Sequence, residues 1–226
     1  MIEPGSHVLR PGIRTFKPRR SRISQRQSAA IRDHEGMLLT LSAQPLDPVL
    51  TWGPGMPLVL EIGFGNGNYF RDLLGQAKDL KLHGVDFSKE MVAEAIVRNK
   101  ELIANESLYV VQAPSDHMPF ADAFFDRIFC INVIYFWDDP AAHLCEVRRV
   151  LKPGGTFTAV FRTRAAMVNM PFTQFGFAMY EQADWEAVLR ANGFAVHSTV
   201  LLREGEIEFE GKTYSPESLV MTAVAL

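Results

Sequence analysis

Apolar and polar positions fall into blocks from residue 58 onward, and the block lengths and periods name the elements. Leu58-Val59-Leu60-Glu61-Ile62 is a short run of strand formers that stops at glycines 63, 65 and 67. It predicts a buried strand and a tight turn, followed by a helix over 69–77. Residues 81–86 read as a second strand. From Ser88 an amphipathic helix follows, with Met91, Ala95, Leu102 and Ile103 inward and Lys89, Glu94, Arg98 and Lys100 outward. Ser88 is its cap, and Glu90 in the first turn complements the helix dipole. Residues 108–113 are the third predicted strand. Residues 127–133 are the fourth, a near-continuous apolar run that suits a strand covered on both faces. Asp138-Asp139-Pro140 opens another helix, with Pro140 in its first turn and Leu144, Val147 and Leu151 as its inner stripe. Pro153-Gly154-Gly155 turns into a fifth strand over 156–161. A helix over 181–191 stops at Asn192-Gly193, and strands over 195–202 and 219–226 finish the sheet. Strands alternating with helices of crossover length imply an α/β fold with a mostly parallel sheet and right-handed connections.

The first quarter of the chain is patterned differently. Residues 1–20 contain Gly5, Pro11, Gly12 and Pro18 and show no period, which predicts an irregular arm. Residues 24–41 have helical character, with Ile31, Met37, Leu38 and Leu41 as inward positions and Ser24 or Ser28 as the cap. Pro45, Pro48, Pro54 and Pro57 forbid a long helix before the first strand. The expected organisation is therefore a basic arm with a pre-core helix over 1–55 and a core domain over 56–226.

Composition narrows the class. A chain of 226 residues with 47% apolar residues suits one globular α/β domain with an appended segment. No apolar run approaches the ~18 residues of a membrane span, and the N-terminus lacks the apolar segment of a signal peptide. A cytoplasmic protein that does not enter a membrane is the expectation. Cys130 and Cys145 have neither metal-ligand spacing nor a disulfide framework, and are expected as reduced, buried thiols. His117 and His143 lack further metal-type ligands at a useful spacing, so no metal site is expected. The net charge is −3, yet Arg10, Arg14, Lys17, Arg19, Arg20, Arg22, Arg26 and Arg32 face only Glu3 in residues 1–32. A basic arm on an acidic body fits nucleic-acid contact or a solvated terminus.

The candidate chemistry sits at the first turn. Gly63-x-Gly65-x-Gly67 differs from the Gly-x-Gly-x-x-Gly of dinucleotide sites. It is preceded by an acid inside the strand, Glu61, and followed by Asp86, which ends the next strand 19 positions after Gly67. That offset suits a carboxylate accepting hydrogen bonds from both ribose hydroxyls. A nucleoside at the carboxyl end of the sheet is the reading these residues support; the plainer one makes Asp86 a helix cap.

Glu61-x-Gly63-x-Gly65-x-Gly67 with a strand ending in Asp86, then Met118-Pro119-Phe120, Phe125-Asp126 and Leu151-Lys152-Pro153-Gly154-Gly155, resembles the class I S-adenosylmethionine-dependent methyltransferases over about residues 56–226. The resemblance implies an enzyme with a Rossmann-like, seven-stranded, mostly parallel sheet, helices on both faces and an antiparallel last strand. It implies S-adenosyl-L-methionine as cofactor and a pre-core helix that covers it. The backbone from Gly63 through Phe64 and Gly65 to Gly67 would approach the methionine moiety, beside Glu61 and Asn132. Asp86 would hold the ribose, and Phe87 and Met91 would touch adenine. The family's adenine-binding Asp falls on Pro114 here, so Ser115, Asp116 and His117 are the candidates for that partner.

Methyl transfer from a sulfonium is an in-line displacement that mainly needs alignment and desolvation. No residue type is obligatory, so no catalytic residue is assigned. Tyr135 and Trp137, in the loop after the fourth strand, and Arg162, at the rim after the fifth, are substrate-pocket candidates. Tyr135 would position or deprotonate a substrate or simply pack, and Arg162 would hold an acidic one. Residues 167–180, rich in Phe and Met, would wall the acceptor pocket. Two acceptors are in contention. Residues 13–27 resemble the N-terminal arm of bacterial tRNA (guanine-N7)-methyltransferases, which makes tRNA a partner through residues 10–32. The loop Asn132-Val133-Ile134-Tyr135-Phe136-Trp137-Asp138-Asp139-Pro140 is similar instead to generic bacterial methyltransferases of small molecules. The small-molecule acceptor is the leading reading, with the arm as a lid. A cofactor-binding protein without catalysis is the third.

Overall fold

The computed structural model describes residues 57–76, 80–170, 173, 176–203, 206–209, 211–215 and 217–226, without the side chains of 207–209. The expected arm and pre-core helix lie outside these residues. Nine strands are described. β1 is Leu58–Ile62, β2 Lys81–Asp86, β3 Leu108–Gln112, β4 Phe125–Ile131 and β5 Leu151–Arg162. β6 is Phe194–Arg203, β7 Ile207–Phe209, β8 Lys212–Tyr214 and β9 Glu217–Ala225. The helices are α1 Phe70–Gln76, α2 Lys89–Arg98, α3 Lys100–Ala104, α4 Pro140–Val150, α5 Arg164–Met167 and α6 Gln182–Ala191.

Seven strands form one sheet in the order β3-β2-β1-β4-β5-β9-β6. The first five pair in parallel, and β9 runs antiparallel to both β5 and β6. This is the expected Rossmann-like topology with an antiparallel last strand. The strand order reverses at β1, where crossovers to either side leave a crevice beyond the strand ends. β7 and β8 form a separate hairpin that the pattern did not foreshadow.

The period-2 alternation of β1 divides the core. Val59 joins Phe64, Phe70, Leu73, Leu82, Val92 and Phe129 on one face, under α1 and α2. Leu60 and Ile62 join Ile128, Cys130, Leu144, Val147, Phe157 and Trp185 on the other, under α4 and α6. Both faces are covered, as expected.

Local rules place most boundaries. Ser88 accepts from the Met91 amide and caps α2. Asp139 accepts from the Ala141 amide, with Pro140 in the first turn of α4. Glu181 and Asp184 form a reciprocal capping box on α6. Several boundaries differ from expectation. The helix from Ser88 breaks at Asn99, so Leu102 and Ile103 belong to α3. β4 begins and ends two residues earlier than its apolar run. β5 begins at Leu151, because Leu151 pairs with Phe125 before the chain bulges over Pro153-Gly154-Gly155 and rejoins at Thr156. Lys152 and Asp126, which carried part of the family resemblance, form an ion pair of 2.8 Å, and Asp126 also accepts the Leu58 amide at 2.8 Å. These motif residues fasten the sheet at the end away from the glycine turn.

Candidate functional site

The glycine turn hangs between β1 and α1. Gly63 and Gly67 have φ of +73° and +69°, which disfavours a Cβ at either. There is also no room: a Cβ on Gly67 would stand 2.8 Å from Asn99 Nδ2 and 2.9 Å from the Ala95 methyl, and one on Gly63 would run into Val133. A Cβ on Gly65 would meet nothing within 4 Å. The turn is therefore packed from behind and open in front.

Two carboxylates flank that open side. Asp86 accepts the Gly65 amide at 2.9 Å and the Ser88 amide at 2.8 Å, so it joins the glycine turn to the start of α2. Burial pushes its carboxyl up to about 6, against the pull of the amides of Ser88, Gly65 and Phe87. Glu61, on β1, is also buried. Burial and then repulsion from Asp86 push it up to about 8. Two adjacent acids held toward their neutral forms mark a place where a cationic ligand would be welcome. S-adenosylmethionine, with its sulfonium, its ammonium and its ribose diol, fits this donor set and the space in front of Gly65.

The remaining candidates group by location. Phe64 is buried against Phe70, with ring centroids 5.2 Å apart, and lies behind the turn. Phe87 and Met91 are half-buried at the entry to α2. After β3, Asp116 and His117 are exposed, while Ser115 is half-buried and its Oγ lies 2.8 Å from His143 Nδ1. Asn132 follows β4 with φ +57°, its amide bonded to the Val160 carbonyl at 2.8 Å.

The loop after β4 continues as a 3-10 turn, Ile134–Phe136. The Tyr135 hydroxyl donates to Asn132 Oδ1 at 3.0 Å and accepts the Arg162 amide. Tyr135 is 1% exposed, so its hydroxyl braces β4 against β5 and is committed there. Trp137 is buried, with its ring stacked on His143 at 4.7 Å. Arg162 is 0% exposed. The expectation that it offers an open guanidinium to an acidic substrate is corrected: its side chain is enclosed, not at the rim. The expectation for the cysteines is corrected in part, since Cys130 is buried but Cys145 is exposed. Beside this turn, Phe136 and Phe177 lie 4.9 Å apart, and the Ala178 amide donates to the Tyr135 carbonyl at 3.0 Å. Met167 and Met170 are buried in the same cluster.

Asn99, Val133 and His143 were not foreseen in these roles. Asn99 reaches Gly67, Val133 backs Gly63 and His143 meets Ser115, all pairs far apart along the chain that only the fold brings together. Asn99 sits at a helix end and could have been read only as a helix stop.

An open α/β sheet whose first turn is packed behind, open in front and flanked by buried acids defines a nucleoside-binding protein of the Rossmann-like class. A family model described as a methyltransferase domain matches residues 60–159. The chain is 31% identical to methyltransferase YdaC of Bacillus subtilis over 130 residues, 57% of this chain and 68% of that protein. It is also 31% identical over 125 residues to the ubiquinone/menaquinone biosynthesis C-methyltransferase UbiE of Desulfotalea psychrophila, 55% of this chain and 49% of that one. It is 37% identical over 100 residues to the tRNA U34 carboxymethyltransferase of Campylobacter curvus, 43% of this chain and 32% of that one. A solved SAM dependent methyltransferase from Aquifex aeolicus superposes with a TM-score of 0.66 at 20% identity, covering 88% and 98% of the two chains. The chain belongs to the class I S-adenosylmethionine-dependent methyltransferases.

Proposed function

We propose that this enzyme methylates a small, largely apolar molecule, using residues at the glycine turn and the loops after β3 and β4. The observation that carries the reading is the apolar packing at the Ile134–Phe136 turn: Phe136 lies against Phe177, in one cluster with Met167 and Met170, and Arg162 is enclosed. Such a surface favours a flat or apolar acceptor and offers a phosphate backbone little. The similarity to a quinone-pathway C-methyltransferase points the same way.

When bound, S-adenosylmethionine supplies a methyl group already activated on sulfur. The backbone of Gly63, Phe64, Gly65 and Gly67 borders the methionine end, with Glu61 and Asp86 as the anionic surroundings of its cationic groups. Asp86, whose two oxygens each accept one amide, from Gly65 and from Ser88, has acceptor capacity left for the ribose hydroxyls. Phe87 and Met91 offer apolar contact to adenine, and Ser115, Asp116 and His117 offer polar groups to its edge. Asn132, held by the Tyr135 hydroxyl, fixes the backbone between cofactor and acceptor. Tyr135 positions; it does not take a proton. Alignment and exclusion of water are then the protein's contribution to an in-line transfer.

An RNA acceptor is the second reading, supported by the basic residues 10–32 and by the similarity to a tRNA carboxymethyltransferase. The test measures S-adenosylhomocysteine formation with a panel of phenolic and quinol-type acceptors and with bulk tRNA, at low and high salt. Salt-insensitive turnover of a small acceptor supports the first reading. Turnover of tRNA only, falling steeply with salt and on removal of residues 1–26, overturns it in favour of the second. Cofactor binding without turnover of either class leaves a binding protein and overturns both.

A further inference from the structure

The segment between β3 and β4 contains no helix of its own, and α4 holds it. Three α4 side chains spaced three residues apart reach it. Arg149 donates from Nη2 to the Met118 carbonyl at 3.1 Å and from Nη1 to the Phe120 carbonyl at 2.9 Å and Asp122 Oδ1 at 2.6 Å. Glu146 accepts the Met118 amide at 2.6 Å and is itself held by Arg149 Nε at 2.7 Å. These contacts fix the far end of the segment. The near end, beside the cofactor crevice, is held by the 2.8 Å contact between Ser115 Oγ and His143 Nδ1. The His143 imidazole is itself held in place, its plane lying 4° from that of Trp137 with centroids 4.7 Å apart. Trp137 belongs to the segment after β4. His143 is therefore a strut between the two loops that border the crevice, one on its adenine side and one on its acceptor side.

We infer that His143 is a positioning residue for cofactor recognition: stacked on Trp137, it latches Ser115 and so sets the loop 115–117 in the conformation that reads the adenine edge. The inference rests on the placement of adenine beside this loop proposed above. The hydrogen bond between Ser115 Oγ and His143 Nδ1, in whichever tautomer the ring adopts, leaves the Ser115 backbone and the neighbouring Asp116 and His117 at a fixed distance from the turn. Without the latch the loop remains tied at Met118 but not at Ser115, and the purine edge loses its fixed partner while the ribose and methionine contacts are untouched.

The experiment compares binding of S-adenosylhomocysteine and S-inosylhomocysteine by titration calorimetry. The two ligands differ only along the N1/6 edge of the purine, where a 6-amino group and an acceptor N1 become a 6-oxo group and an N1–H donor. The variants are Ser115→Ala, His143→Phe, which keeps the stack and loses the hydrogen bond, and His143→Asn, which places an amide where Nδ1 stood. The full chain shows a preference for the adenine ligand. Ser115→Ala and His143→Phe weaken its binding about five- to tenfold, hardly change that of the inosine ligand, and are not additive when combined. His143→Asn retains much of the preference. Variants that weaken both ligands equally, or neither, overturn the latch while leaving the cofactor reading intact. A wild-type chain that binds both ligands equally tightly overturns the adenine placement and the latch with it. A wild-type chain that binds neither ligand overturns the cofactor site itself.

Discussion

Asn99 Nδ2 donates to the carbonyl of Gly67 at 2.9 Å and to that of Ala95 at 3.0 Å, so the end of α2 is bonded to the third glycine of the turn after β1. Asn99 is 3% exposed, so both of these bonds are buried. Asn99→Ala leaves the Gly67 carbonyl buried without that donor, at a cost of about 1–3 kcal/mol. Asn99→Asp is worse, since it turns a carboxylate toward two carbonyls. Urea denaturation of both variants orders them; equal stability of Asn99→Asp and wild type would refute the contact.

Gly63 tests the back of the same turn. Gly63→Ala meets both a φ of +73° and the Val133 side chain. The left-handed backbone costs about 1–2 kcal/mol and the overlap about 1–3 kcal/mol. Val133→Ala in the Gly63→Ala background recovers only the second share. A double variant as stable as wild type would show that the backbone conformation carries no cost.

Asp86 is the residue on which the cofactor reading is most exposed. Asp86→Ala loses the ribose acceptor and the ties to Gly65 and Ser88, and weakens S-adenosylhomocysteine binding by roughly 1.5–3 kcal/mol. Asp86→Asn keeps one acceptor oxygen and falls between. Calorimetry measures both; affinity unchanged in Asp86→Ala would remove Asp86 from the site.

With Glu61 and Asp86 beside the cofactor as proposed, its binding would be a proton-linked event. Their folded values, about 8 and about 6, lie above the ordinary 4.5 and 3.8. Raised folded values mean that these acids favour the ligand-free fold at low pH. That contribution is lost as pH rises, from about 4 through 6 for Asp86 and from 4.5 through 8 for Glu61. A bound cation favours both carboxylates, so binding of S-adenosylmethionine at pH 7 releases protons. Titration in buffers of different ionisation enthalpy counts them, and Glu61→Gln reduces the count. A count of zero for wild type would show that neither acid faces the cation.

His83 gives a pH dependence of opposite sign. It lies among Tyr109, Phe120, Phe124 and Phe125, and its Nδ1 is buried without a hydrogen-bond partner. Burial, with Lys81 nearby, lowers it from 6.5 to about 4. The unfolded chain takes up the proton first, so stability present above pH 6.5 is lost as pH falls toward 4, by up to about 3 kcal/mol. His83→Phe flattens the stability profile across that window. A profile identical to wild type would mean that the imidazole titrates normally in its cage.

The sequence by itself determined the elements and their order, because helix and strand periods, caps and glycine turns are local. The 58–62 run, the Ser88 and Asp139 caps, the Asn192-Gly193 stop and the Asp86 offset could all be read in a line. Runs set by burial, not by turns, were misjudged: β4 slid by two residues, and the Ser88 helix broke at Asn99, whose side chain serves Gly67. The site was legible only where one strand end supplies it. Tertiary structure alone decided that Arg162 is enclosed, that Tyr135 spends its hydroxyl on Asn132 and the Arg162 amide, and that His143 reaches Ser115 across 28 residues. Those are choices among partners brought together by packing, and packing at long range leaves no period in the chain to read.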